Sequence, residues 1–130
     1  MRQIKFRAWH KKWDRLINDI FLGDSEVKFP IGNTSDILNI NEEYSNLIFQ
    51  QYTGLKDKNG REIYEGDIVI DGHKNSAEVV FDDGCFCVIG YLGDLRTHPL
   101  RDSLFCGERF EAIGNIYENP ELLEASHASK

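Results

Sequence analysis

The chain has 130 residues, of which 41% are hydrophobic and 28% are charged, and its net charge is −7. These values exclude an intrinsically disordered chain, and the length suffices for one domain with its own hydrophobic core. Eight Phe, five Tyr and two Trp residues favour β-strands over helices. Three cysteines, an odd number, indicate a reducing compartment rather than a disulfide framework.

The charge is unevenly distributed along the chain. Residues 1–15 contain six basic and one acidic side chain, a net charge of +5, whereas the rest contains nine basic and 21 acidic side chains, a net charge of −12. The N-terminal segment can therefore attract a phosphate backbone that the rest of the chain repels. The alternative is that a basic edge strand faces the protein's own acidic surface or opposes edge-to-edge aggregation.

The N-terminal third predicts strands separated by turns. Residues 3–9 alternate apolar and polar side chains with the period of a half-buried strand. A second strand is predicted over Arg15–Leu22. A short third strand is predicted over Val27–Ile31, where Pro30 restricts it to a sheet edge. These elements predict a β-rich lobe at the N-terminus.

Two segments give no clear assignment. In residues 23–46, Ser35 can cap a short helix through Tyr44, but the apolar side chains that follow fix no period. In residues 94–107, a Thr-His-Pro break separates stretches without a regular pattern. Apart from the short strand over Val27–Ile31, both segments are left without a predicted conformation.

The remaining sequence reads as a series of strands joined by tight turns. Asn59-Gly60 predicts a type I′ hairpin turn, and Asp83-Gly84 predicts another tight hairpin. The predicted strands cover residues 46–53, 67–71, 76–81, 85–91 and 110–117. We expect a curled sheet that encloses Val69, Val80 and Ile113.

Three blocks of sequence together resemble the YopX family of phage and prophage proteins. The longest is QYTGLKDKNGREIYEGDIV, from Gln51 to Val69, and the first is the strand IKFRAW from Ile4 to Trp9. His10 follows that strand at a position where the family commonly has aspartate. The third block is IGNIYENPELL, from Ile113 to Leu123. Because the family has no established activity, the resemblance transfers no functional residue.

The resemblance and the strand count together predict the architecture. The Gly-Asp-Ile-Val entry into the strand at Asp67 recurs in small SH3-like barrels. We therefore expect a single YopX-like domain over residues 1–124, with an N-terminal β lobe over 1–53 and an SH3-type barrel over 54–120. Residues 125–130 are expected to form a frayed tail.

No arrangement of side chains predicts catalysis, a cofactor or a metal. Cys85 and Cys87 lie on one face of a strand, and Cys106 and His98 can in principle complete a zinc site, but an i, i+2 pair chelates poorly. Buried, inert thiols are the simpler interpretation. An enzymatic function would need a pocket that gathers acidic and histidine side chains, with Glu65, Asp67, His73 and His98 as candidates.

The N-terminal alternation of basic and aromatic residues is the best indication of a partner. Its candidate nucleic-acid-binding residues are Lys5, Arg7, Trp9, Lys11 and Trp13, which share one strand face if the strand continues past His10. Such a face can stack bases and follow phosphates. The alternative is that both tryptophans anchor the packing of the lobe while the cations are solvated.

The sequence therefore predicts a non-enzymatic phage or prophage accessory protein that acts as a binding or assembly module. A protein partner or self-association is favoured over nucleic acid, because most of the chain is acidic. No membrane partner and no small-molecule substrate are expected. The N-terminus lacks the apolar segment of a signal peptide, so we expect the protein in the cytoplasm of the bacterial host.

Overall fold

A computed structural model describes residues 4–100 and 109–122 of the chain. The described secondary structure is mainly β, with antiparallel strand pairs and little helix, so the mainly β part of the predicted fold class is confirmed. The chain divides into two compact units, Met1–Tyr52 and Thr53–Lys130. The predicted frayed tail, residues 125–130, lies outside the described residues.

The sheet of the first unit is built around its N-terminal strand. Strand β1 (Lys5–His10) lies between β2 (Arg15–Phe21) and β5 (Leu47–Lys56) and is antiparallel to both. Both strands predicted for the first 22 residues are confirmed. The apolar side chains of this unit form one core cluster: Ala8, Ile17, Ile20, Val27, Phe29, Leu38, Ile40 and Leu47.

The third predicted strand, Val27–Ile31, is confirmed, and it belongs to a hairpin that a short helix follows. Strand β3 (Glu26–Ile31) pairs with β4 (Thr34–Asn39), and α1 (Ile40–Glu43) follows directly. The Asn39 side chain caps the helix, accepting a hydrogen bond at 3.1 Å from the backbone N–H of the third helical residue. Ser35 does not cap it, since its backbone belongs to the β3–β4 ladder.

The second unit contains most of the remaining strands. Strand β5 continues into it and pairs with β6 (Glu62–Tyr64). A five-stranded sheet follows, formed by β7 (Asp67–Ile70), β8 (Ser76–Asp82), β9 (Cys85–Ile89), β10 (His98–Pro99) and β11 (Glu111–Asn115). The strand order in this sheet is β10-β9-β8-β7-β11. In the described residues this pairing does not close on itself, so the predicted SH3-type barrel is not confirmed.

The core of the second unit differs from the predicted one in two positions. Val69 is fully buried, as expected, but Val80 and Ile113 are only half-buried. In β8 the fully buried side chain is that of Val79, one residue earlier and on the opposite face of the strand. In β11 the register shifts between Ala112 and Gly114, so the intervening isoleucine is the extra residue of a bulge.

Two hairpin turns in this unit use different geometries. At Asp83-Gly84 both residues have positive φ, 50° and 81°, as a two-residue type I′ turn requires. At Asn59-Gly60 only the glycine, with φ of 82°, adopts the left-handed conformation. The backbone N–H of Gly60 donates to the carbonyl of Asp57 at 3.0 Å, which closes a longer turn. The type I′ prediction at this position was therefore wrong.

Asp57 connects this turn to the last strand of the sheet. Its buried carboxylate accepts hydrogen bonds from the backbone N–H groups of Asn59 (2.9 Å), Arg61 (2.8 Å) and Ala112 (2.9 Å). Burial alone would raise the pKa of the Asp57 carboxyl, but these bonds and the Arg61 charge outweigh it and lower that pKa. The ionised carboxylate therefore holds the turn against β11.

We expect Asp57→Asn to lower the free energy of unfolding by about 2 kcal/mol, because hydrogen bonds to a charged acceptor are lost and the amide N–H₂ faces other donors. Since folding lowers this pKa, the stabilisation is present above the unfolded value of about 3.9 and is lost as pH falls through the folded value. Urea unfolding at several pH values measures both effects. Asp36→Asn, at an exposed aspartate of β4, is the matched control. Equal stability of the two variants at neutral pH would contradict the assigned role.

Candidate functional site

Three of the five predicted nucleic-acid-binding residues, Lys5, Arg7 and Trp9, lie on β1. Arg7 is only 7% exposed, and its Nε donates a hydrogen bond at 2.7 Å to Oε1 of Gln50. Trp9 is 8% exposed. The Lys5 ammonium lies 5.0 Å from the centroid of the Tyr52 ring, a cation–π distance. Two of these three side chains are therefore part of the interior.

The other two predicted residues do not extend this strand face. Strand β1 ends at His10, and residues 11–14 form a turn in which Asp14 has a φ of 51°. Lys11 and Trp13 both lie in this turn and are exposed, Trp13 to 41%. The five residues are thus divided between a strand and a solvent-exposed turn.

The buried ring of His10 packs against the exposed ring of Trp13. Its side chain is fully buried, and its ring stacks on the Trp13 ring with a centroid distance of 3.7 Å and an interplanar angle of 6°. The backbone N–H of Trp13 donates to Nδ1 of His10 at 3.1 Å. The stack and the hydrogen bond together fix the orientation of the indole ring.

The second ring nitrogen of His10 contacts the short helix. Its Nε2 lies 2.9 Å from Oε2 of Glu43, which also accepts a hydrogen bond from the Asn46 side chain at 3.0 Å. The hydrogen bonds from His10 and Asn46 hold the pKa of the Glu43 carboxyl below its usual value. Because a backbone N–H can only donate, Nδ1 accepts and the ring proton resides on Nε2, where it is donated to Glu43. Both ring nitrogens are thus engaged, which is typical of a positioning role rather than of a general base.

Trp13 and the β3–β4 hairpin form a continuous exposed surface. The Trp13 ring lies 5.7 Å from the buried Phe29 ring, and the Arg15 guanidinium lies 5.1 Å from the same ring. Arg15 Nη2 donates to the carbonyl of Pro30 at 2.8 Å. Ile31, 44% exposed, follows on the strand face of Phe29. We call Trp13, Arg15, Pro30 and Ile31 the Trp13 surface.

Sequence reasoning missed two contributors to this surface. The sequence pattern predicts Arg15 only as the first residue of a strand, and it assigns no role to His10, the buried residue on which the Trp13 ring stacks. The contact of Arg15 with Phe29 depends on how the hairpin folds back, which no local pattern encodes. The His-x-x-Trp spacing did carry a signal, since a turn after the strand brings residues i and i+3 together.

Two of the four residues named for an enzymatic alternative, Asp67 and His98, have side-chain contacts of a structural kind, and His73 is exposed. The buried carboxylate of Asp67 accepts a hydrogen bond from the backbone N–H of Tyr64 at 2.8 Å. His98 Nε2 lies 3.1 Å from Oδ2 of Asp94, and Arg96 also binds that carboxylate. The contacts with Arg96 and then His98 hold the pKa of the Asp94 carboxyl well below its usual range. His98 is therefore engaged by a carboxylate rather than directed at the cysteines.

A search of the described residues for metal-binding clusters finds no group of three or more His, Cys, Asp or Glu side chains. Cys106, one of the four candidate zinc ligands, lies outside the described residues. A search of the same part of the chain finds no helix with the length and apolar character needed to cross a membrane.

The chain matches one family model and resembles solved structures. The family model described as "YopX protein" matches residues 5–124. The crystal structure of protein EF1440 from Enterococcus faecalis is similar, with 28% identity, a TM-score of 0.62 and coverage of 92% of this chain and 97% of that chain. The structure of protein yopX from Bacillus subtilis is similar in fold, with 20% identity, a TM-score of 0.52 and coverage of 91% and 96%. No curated protein sequence matches this chain.

The hydrogen bonds of His10 predict its tautomer. We expect nitrogen NMR of the imidazole ring to show a proton on Nε2 and none on Nδ1 near neutral pH, because Trp13 donates to Nδ1. His10→Gln identifies the signal by removing it, and His73→Gln, at an exposed histidine, leaves it in place. A ring with its proton on Nδ1, or rapid averaging between tautomers, would contradict this arrangement.

Proposed function

This chain belongs to the YopX family, and we propose that it is a non-enzymatic protein-binding module that uses the Trp13 surface for docking. The observation that carries the proposal is the Trp13 ring, which is 41% exposed and yet stacked on a fully buried histidine. An exposed aromatic side chain with a fixed orientation loses little conformational entropy when it binds. Trp and Arg are also the residues most enriched in interface hot spots.

The charge around Trp13 indicates the chemistry of the partner. Lys11 and Lys12 are exposed beside the tryptophan, and Arg15 is held against the Pro30 carbonyl. These cations favour carboxylates, while the Trp13 and Ile31 side chains favour an apolar group between them. We therefore propose as partner a protein segment that carries acidic residues next to an aromatic or aliphatic side chain.

Nucleic-acid binding through the same turn is the second candidate. An exposed tryptophan beside two lysines can stack a base and contact phosphates. Against it, Arg7 and Trp9 are buried, which leaves few cations on this face, and the chain outside residues 1–15 has a net charge of −12. A phosphate backbone longer than a few nucleotides would meet this repulsion, so a protein partner is favoured.

We also propose an SH3-type roll as the architecture of the second unit, and a phage or prophage accessory role for the protein. The strand order supports the roll, because β11 returns beside β7, the first strand of the five-stranded sheet. The turn around Asp57 lies along the outer side of β11, and the backbone N–H of Lys58 donates to the Phe110 carbonyl at 2.9 Å. The accessory role rests on the resemblance to the family.

Selection from a library of displayed peptides tests the proposed docking surface. We expect enriched peptides to combine acidic residues with an aromatic or aliphatic one. We expect Trp13→Ala to weaken their binding roughly 30-fold, which is the loss of about 2 kcal/mol typical of a hot spot. Arg15→Glu should weaken it as well, and more strongly at low salt. Calorimetric titration of the selected peptides measures each loss.

The matched control is Leu22→Ala, which removes an apolar side chain that is 69% exposed and lies away from the stack on His10. Its affinity for the peptides should stay unchanged. Peptides that bind Trp13→Ala as well as the parent chain would refute the Trp13 surface as the docking site. Oligonucleotide binding with a steep salt dependence and no peptide enrichment would support the second candidate instead. A dimer in light scattering that Trp13→Ala dissociates would identify the partner as a second copy.

A further inference from the structure

The two cysteines of β9 are in contact at the end of a hairpin. Cys85 and Cys87 are free thiols whose Sγ atoms lie 3.4 Å apart. Cys87 is 2% exposed, whereas Cys85 is half-buried beside the tight turn at Asp83-Gly84. Cys85 also belongs to the last residue pair of the β8–β9 ladder, opposite Asp82. One thiol is therefore accessible to solvent and the other lies directly behind it.

A disulfide between the two sulfurs requires a backbone movement at the end of the hairpin, because the Cβ atoms of residues i and i+2 in a regular strand lie farther apart than the about 3.5–4.5 Å of a disulfide. Residues i and i+2 of a strand have Cα atoms about 6.6 Å apart, which falls at the upper end of the range of about 4.4–6.8 Å for disulfides. The sulfurs need to approach by about 1.4 Å to reach the bond length of about 2.05 Å. Cys85 is the first residue of β9 and follows the turn directly, so the movement is confined to the last residue pair of the ladder.

We propose that Cys85 and Cys87 form a redox-active dithiol that exchanges with small disulfides such as oxidised glutathione. The site is independent of the Trp13 surface, since it belongs to the second unit. It also changes the interpretation drawn from the sequence, which was of two inert core thiols. A bond closed at the edge of the geometric range is more readily reduced than a structural disulfide, so the exchange is reversible.

The order of reaction follows from the exposure of the two thiols. The Cys85 thiolate attacks one sulfur of oxidised glutathione, the disulfide bond breaks, and one glutathione leaves as a thiolate that takes up a proton. The Cys87 thiol then loses its proton and attacks Sγ of Cys85, and the second glutathione leaves as a thiolate that takes up a proton. The dithiol is thereby oxidised by two electrons, and one oxidised glutathione becomes two reduced molecules.

The surroundings of Cys87 favour its role as the thiol that reacts second and attacks the mixed disulfide on Cys85. Burial, together with the hydrogen bond and charge of Cys85, raises the pKa of the Cys87 thiol to about 11. The Asp82 carbonyl lies 3.5 Å from Sγ of Cys85 and 4.0 Å from Sγ of Cys87. Thr97, which also contacts Cys87, donates to the Asp82 carboxylate at 2.9 Å. Cys87 is therefore a poor initial nucleophile and a well-placed resolving thiol.

The test is equilibration of the folded protein in buffers with graded ratios of reduced to oxidised glutathione, followed by acid quenching, alkylation and mass spectrometry. The full chain and its Cys106→Ser variant, which removes the third thiol, are compared. We expect both to lose two hydrogens and to gain a Cys85–Cys87 disulfide. Excess reduced glutathione should restore both thiols, and circular dichroism should show a folded protein throughout.

Two single variants test the order of reaction. Cys87→Ser should retain one glutathione on Cys85, and Cys85→Ser should react at Cys87 at least tenfold more slowly. The proposal is overturned if both thiols of Cys106→Ser remain fully alkylatable in oxidised glutathione. It is also overturned if each thiol takes up its own glutathione, or if the intramolecular bond forms only when urea unfolds the protein.

Discussion

The second unit of this protein depends on one buried carboxylate. Asp57 begins the turn between β5 and β6, yet one of its oxygens accepts the backbone N–H of Ala112, 55 residues later in the chain. The same side chain orders its own turn through Asn59 and Arg61. A backbone N–H at a strand edge needs a partner, and an ionised carboxylate is a stronger acceptor than a neutral one. The turn and the last strand are therefore ordered together.

In the stretches of sequence that resemble the YopX family, several residues make structural contacts of this kind. In the central block, Asp67 caps the turn before β7 by accepting the Tyr64 N–H. In the last block, the Asn115 side chain accepts the backbone N–H groups of Tyr117 and Glu118. A Cβ at Gly114 would lie 2.5 Å from Oδ1 of Asn119, so a larger residue at this position would displace the Asn119 side chain. These residues identify the fold, and for this reason the resemblance indicates an architecture and not an activity.

The proposed docking and redox sites both lie where a regular element ends. The Trp13 surface begins where β1 stops at His10, and the dithiol lies where β9 leaves its turn. Within β1, the Arg7 and Trp9 side chains are both buried. At or just beyond a strand end, burial is less complete: Trp13 is exposed and Cys85 is half-buried.

The sequence by itself determined the family, the mainly β class, most strand positions and the Asp83-Gly84 turn, because these follow from period-two alternation and from the backbone freedom of glycine. Only the tertiary structure decided which side chains are buried. Arg7 carries a charge and alternates like a solvent-facing residue, but a long-range hydrogen bond to Gln50 accounts for its burial. Cys85 and Cys87 have the same residue type, and the end of the ladder alone distinguishes them. Local patterns record the period of a strand, whereas contacts between residues far apart in sequence decide what covers each of its faces.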